Sequence, residues 1–85
     1  MMGEKVLIKS NDLDTGLVYL FNLTKEDAVY VLNNLHLEHL ELHNVHVYPR
    51  VSTLFIRNFF GGGGTAILDK CDIIRQIESQ LKILD

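Results

Sequence analysis

The stretch that most constrains the fold is LDKCDIIRQIESQLKILD, residues 68–85. Its apolar residues recur at the helical period: Ile73, Ile74, Ile77, Leu81 and Leu84 share one face, while Arg75, Gln76, Glu78, Ser79 and Lys82 make the solvent face. Asp69 stands where an N-cap belongs. Cys71 reads as a small core residue within the apolar stripe. A helix of this length is marginal alone in water, so the rest of the chain must offer it an apolar surface. At 85 residues, 47% of them apolar, the expectation is a single domain over residues 1–85 with one packed core.

The covering surface is foreshadowed upstream. KVLIKS (5–10) and LVYLFNL (17–23) are β-branched and aromatic runs on either side of NDLDTG, a cluster of turn formers. They read as a β-hairpin. In its second strand Leu17, Tyr19 and Phe21 alternate with Val18 and Leu20, so both faces are apolar. Such a strand needs cover on both sides, from a helix and from another subunit. TKED (24–27) then opens a helix: Thr24 accepts from the amide three residues on, and Glu26 and Asp27 suit the positive end of the dipole. Ala28, Val31, Leu32 and Leu35 carry its buried stripe, which ends near Leu35.

The two halves align. LTKEDAVYVLNNL (23–35) matches LDKCDIIRQIESQ (68–80) in Leu, Lys and Asp at the helix start, and VLIKSN (6–11) resembles LFIRNF (54–59). The alignment reads as an internal ββα repeat, in the order ββα, connecting strand, ββα. The fold class expected is α+β: a small antiparallel sheet with two helices on one face, and the other face open or paired with another subunit.

All four histidines lie in HLEHLELHNVH (36–46). On a continuous helix His36, His39, His43 and His46 would share a face. On a strand Leu40 and Leu42 point inward, His39, Glu41 and His43 point outward, and His39 and His43 stand about 13 Å apart, too far for one ion. NVHVYP is β-rich, which favours the strand. The shift of apolar parity from Leu40 and Leu42 to Val45 and Val47 marks a bulge or break at His43 and Asn44. No metal site is expected from these residues, because no cysteine ligands accompany them at zinc-type spacing.

Bulk charge narrows the classes of function. Eight basic and eleven acidic residues give a net charge of −3, and the basic ones are scattered, so no phosphate-tracking face and no nucleic-acid partner is expected. One cysteine excludes an internal disulfide and suits a reducing compartment. The sequence has no membrane-length apolar run and no signal-peptide pattern. The expectation is a cytoplasmic protein without membrane contact.

Two motifs carry possible chemistry. LDTG (13–16) resembles the catalytic triplet of aspartic proteases, and DLDTG (12–16) is similar to the nucleophile loop of haloacid-dehalogenase phosphatases. The protease resemblance would make Asp14 the reactive group. A phosphatase of that kind needs a parallel sheet and a longer chain, however, and Asp, Asn and Gly in a turn are explained by backbone geometry alone. FFGGGGT (59–65) is the most unusual stretch. Gly61, Gly62, Gly63, Gly64 and Thr65 could cradle a small phosphorylated or nucleotide-like ligand, the more so if the last helix starts at Thr65 and aims its N-terminus there. Alternatively they form a flexible hairpin tip on which Phe59 and Phe60 meet a protein partner.

The expectation is therefore a non-enzymatic binding or regulatory module without a cofactor, a homodimer or higher oligomer that engages another protein through residues 59–65 or through the open sheet face. Small modules of this kind suit accessory or inhibitory roles, including those of mobile genetic elements. The alternative is the small phosphorylated ligand held at Gly61–Gly64.

Overall fold

The computed structural model describes residues 4–42, 45–58 and 64–84, without the side chains of Phe21, Asn58 and Leu84. The chain runs β1 (Lys5–Asn11), β2 (Val18–Thr24), α1 (Lys25–Asn33), β3 (Leu40–Glu41), β4 (Val45–Pro49), β5 (Thr53–Asn58), β6 (Thr65–Asp69) and α2 (Lys70–Leu84). This is the α+β class expected. The strands form two antiparallel sheets rather than one: a β1–β2 ribbon and a four-stranded sheet in the order β3-β4-β5-β6.

Alternation builds the ribbon. Val6, Ile8 and Ser10 of β1 point inward and are buried, while Leu7, Lys9 and Asn11 point outward. Opposite them in β2, Leu23 faces Val6 and Leu20 faces Lys9. In the second sheet one inward row runs Leu40, Val47, Ile56, Ala66, and the next places Leu54 against Leu68. Ala28 and Val31 of α1 and Ile73 and Ile77 of α2 complete the same core. Each large side chain that leaves water entirely, such as Ile8, Leu54 or Ile77, stabilises the fold by about 1.5–3 kcal/mol.

The helix ends follow their capping residues. Thr24 Oγ1 accepts from the Asp27 amide at 3.0 Å, as its position in TKED requires. The helix stops at Asn33, two residues short of Leu35; Asn34 caps it by giving its N–H to the Val31 carbonyl and its side-chain amide to the Tyr30 carbonyl. Asp69 Oδ1 accepts from the Cys71 amide at 3.1 Å where α2 begins. Cys71 itself is exposed, contrary to the sequence reading. It lies two residues, about 200° of helical rotation, from Ile73 at the centre of the buried stripe.

Between the two ββα units stand two strands, where the sequence reading placed one. The chain reverses between Leu42 and Val45, whose backbone groups bond at 2.8 Å. That reversal, rather than a bulge within one strand, restores the inward parity: Leu40 lies opposite Val47 and both are buried. His43 and Asn44 themselves lie outside the described residues. The ββα order does recur, but with helices of 9 and 15 residues, and that order alone does not make the halves a repeat.

Candidate functional site

The most specific contacts in the molecule close the edges of its sheets. Along the outer edge of β1, the carboxamides of α2 take the place of a neighbouring strand. Gln80 Oε1 accepts from the Leu7 amide at 2.8 Å and Gln80 Nε2 donates to the Leu7 carbonyl at 2.6 Å. Gln76 does the same with Lys9, at 3.0 and 2.7 Å. The spacings agree: four residues of helix rise about 6 Å, and two residues of strand about 6.8 Å. One turn earlier, Asp72 Oδ2 accepts from the Ser10 hydroxyl at 3.2 Å and from Gln76 Nε2 at 3.1 Å. Gln76 is thus not the solvent-facing residue expected from helical period.

A turn closes the edge of β6. Asp12, 4% exposed, accepts from the Ile67 amide at 2.9 Å, while the Leu13 amide donates to the Ile67 carbonyl at 2.8 Å. The same carboxylate accepts from the Thr15 hydroxyl at 2.7 Å and from the amides of Asp14 and Thr15 at 3.3 Å each. Gly16, at φ +79°, completes the turn with a bond to the Asp12 carbonyl. The Thr15 hydroxyl first, then the Ile67 amide, hold the Asp12 carboxyl below its ordinary pKa; burial opposes them, and the two local amides add to the lowering. The NDLDTG segment therefore uses Asp12 to organise backbone. Asp14 is exposed on the turn.

Near these closed edges lies an open surface. Leu7, Val18 and Leu20 project from the outward face of the β1–β2 ribbon, and Leu13 and Leu17 flank its turn; each of the five is more than half exposed. Lys5, Lys9 and Asn11 are the other outward residues of β1.

The outward face of the four-stranded sheet carries an aromatic row. His39 packs between His46 and Tyr48, with ring centroids 4.8 and 4.7 Å away, and Tyr48 meets Phe55 edge-on at 5.9 Å. The Arg50 guanidinium lies 5.9 Å from the centre of the Phe55 ring. His39 Nε2 and His46 Nδ1 are 2.6 Å apart, within hydrogen-bonding distance, with donor and acceptor set by the ring tautomers. Glu41 stands 4.0 Å from His46 Nε2. The chain reversal brings His39 to His46, a pairing the strand reading did not contain. His36 is exposed before β3, and His43 lies outside the described residues. Among the described residues no three His, Cys, Asp or Glu side chains converge as metal ligands.

Of the expected binding segment, Phe59, Phe60, Gly61, Gly62 and Gly63 lie outside the described residues. Gly64 and Thr65 are exposed, and Thr65 begins β6 opposite Arg57. The last helix starts at Lys70, not at Thr65, because residues 65–69 complete the sheet first. Its N-terminus accordingly does not adjoin the glycines in sequence. An open groove between the helices is lined by Leu32, Arg75, Glu78, Ser79, Leu81 and Lys82, and a smaller one by Glu38, Tyr48, Pro49 and Arg50; neither includes Gly64 or Thr65. No described helix is long and apolar enough to cross a membrane. Compared with protein-family models, curated proteins and solved structures, the chain matches none.

Proposed function

We propose that this protein is a non-enzymatic binding module that works through protein–protein contact, self-association included, with the β1–β2 hairpin as its contact surface. The observation that carries the reading is the set of five large apolar side chains, Leu7, Leu13, Leu17, Val18 and Leu20, each more than half exposed on one hairpin. Single exposed leucines are ordinary, whereas a contiguous apolar patch marks a place where another surface docks. The polar groups nearby support the same reading. Asp12 directs its oxygens into its own turn and β6, and Gln76 and Gln80 are spent on β1.

Sedimentation velocity on the full chain and on a Leu17→Ser, Leu20→Ser double variant tests this. The wild type is expected to sediment as a multimer at sub-millimolar concentration, and the double variant as a smaller, more soluble species with its thermal transition retained. A wild type that stays monomeric, indistinguishable from the double variant in size and solubility, overturns the reading.

A further inference from the structure

We infer that the open edge of β2 is a strand-pairing site for a second copy of this chain. This rests on the proposed function and names its partner and geometry.

The argument comes from how the molecule treats its four sheet edges. The edge of β1 is closed by Gln76 and Gln80. The edge of β6 is met by Asp12 and Leu13 at Ile67 and by the Tyr19 hydroxyl, which donates to the Thr65 carbonyl at 3.3 Å. β3 is two residues long, too short to template another strand. β2 is seven residues long and, among the described residues, pairs on one side only, with β1.

The pairing pattern shows what its other side offers. Leu7 and Lys9 turn their backbone groups toward the glutamines, so they belong to the non-hydrogen-bonded pairs of the ribbon. Their partners Asn22 and Leu20, and Val18 opposite Asn11, must likewise turn N–H and C=O away from β1. Among the described residues nothing bonds to these groups. Natural sheets guard such an edge with lysine, proline or a bulge. Residues 17–24, LVYLFNLT, hold no charge, no proline and no glycine.

An uncharged edge suits its own copy. Antiparallel pairing about a twofold axis sets each residue against one of the same strand, and here no like charges meet. Centring the axis on Leu20 places it against the partner's Leu20. Val18 then pairs with the partner's Asn22, and the outward amides and carbonyls of both chains bond one another. The alignment also covers Leu20, 63% exposed in the single chain. Because each chain contributes the one long edge left open among its described residues, the assembly closes at two copies.

Amide hydrogen exchange by NMR, read beside sedimentation of the full chain, tests the pairing. The amides of Val18, Leu20 and Asn22 are expected to exchange slowly in the concentrated sample and to speed up by about tenfold or more once dilution dissociates the dimer. Asn22→Pro removes an outward N–H and leaves the β1 ladder its bonds; it is expected to be monomeric, with the inward β1–β2 amides still protected. Leu20→Lys, which sets a charge against its twin, gives the same outcome should the proline impair folding. A dimer in which Val18, Leu20 and Asn22 exchange freely, or one that survives both substitutions, overturns the pairing and leaves self-association through another surface standing. A wild type monomeric at every concentration overturns both.

Discussion

At the scale of the residue, Asp12 works as an anion held in place. Its carboxylate organises the turn and fastens it to β6, and both tasks need acceptors at two oxygens. Asp12→Asn replaces one acceptor by a donor aimed at other donors, so it is expected to lower the melting temperature. Asp14→Asn, on the exposed tip, should leave it unchanged; equal effects in a pair of melting curves would refute the assignment. The sign of the pH dependence follows from the lowered pKa. Folding favours the ionised carboxyl, so the stabilisation is fully present above the ordinary value of 3.8 and is lost as the pH falls through the lower folded-state value. Asp12→Asn should flatten the acid limb of a stability-versus-pH profile measured below about pH 4.

At the scale of the element, α2 serves two surfaces with one sequence. Ile73 and Ile77 enter the core while Gln76 and Gln80 bond the edge of β1. Replacing both glutamines by alanine removes the four hydrogen bonds to β1 and the one from Gln76 to Asp72, expected to cost about 2 kcal/mol or more in urea denaturation because each bond is worth roughly 0.5–1.5. Gln76→Glu should cost more than Gln80→Glu, since a carboxylate at position 76 would face both the Lys9 carbonyl and Asp72; the reverse order in the same experiment would argue against the clasp. The helix was readable in advance because its apolar period and Asp69 are local signals. So were the Thr24 cap and the β1–β2 hairpin. The glutamine contacts were not readable, since helical period alone sorts Gln76 to the polar face whether water or a strand edge awaits it there. Asp12 was hidden for a similar reason: its partner Ile67 lies 55 residues away. The β3–β4 reversal escaped because HLELHNVHVY carries no glycine or proline between Leu40 and Val47.

At the scale of the whole molecule, the distribution of charge separates association from electrostatics. The net charge of −3 is dispersed, and residues 17–24 carry none of it. Association through this edge should therefore depend weakly on sodium chloride, because the pairing is built from backbone bonds and apolar contact rather than screened ion pairs. A dimer dissociation constant that rises steeply with salt in sedimentation equilibrium would place the interface elsewhere. The glutamine clasp has a further consequence in time. It joins Leu7 to Gln80 and Lys9 to Gln76, separations of 73 and 67 residues. A ribosome delivers the N-terminal hairpin long before α2, so the nascent hairpin waits with both edges bare. Vectorial synthesis thus exposes β1 to neighbouring nascent chains only until the last helix emerges, and the interval in which chaperones matter most closes when Gln76 and Gln80 reach the strand.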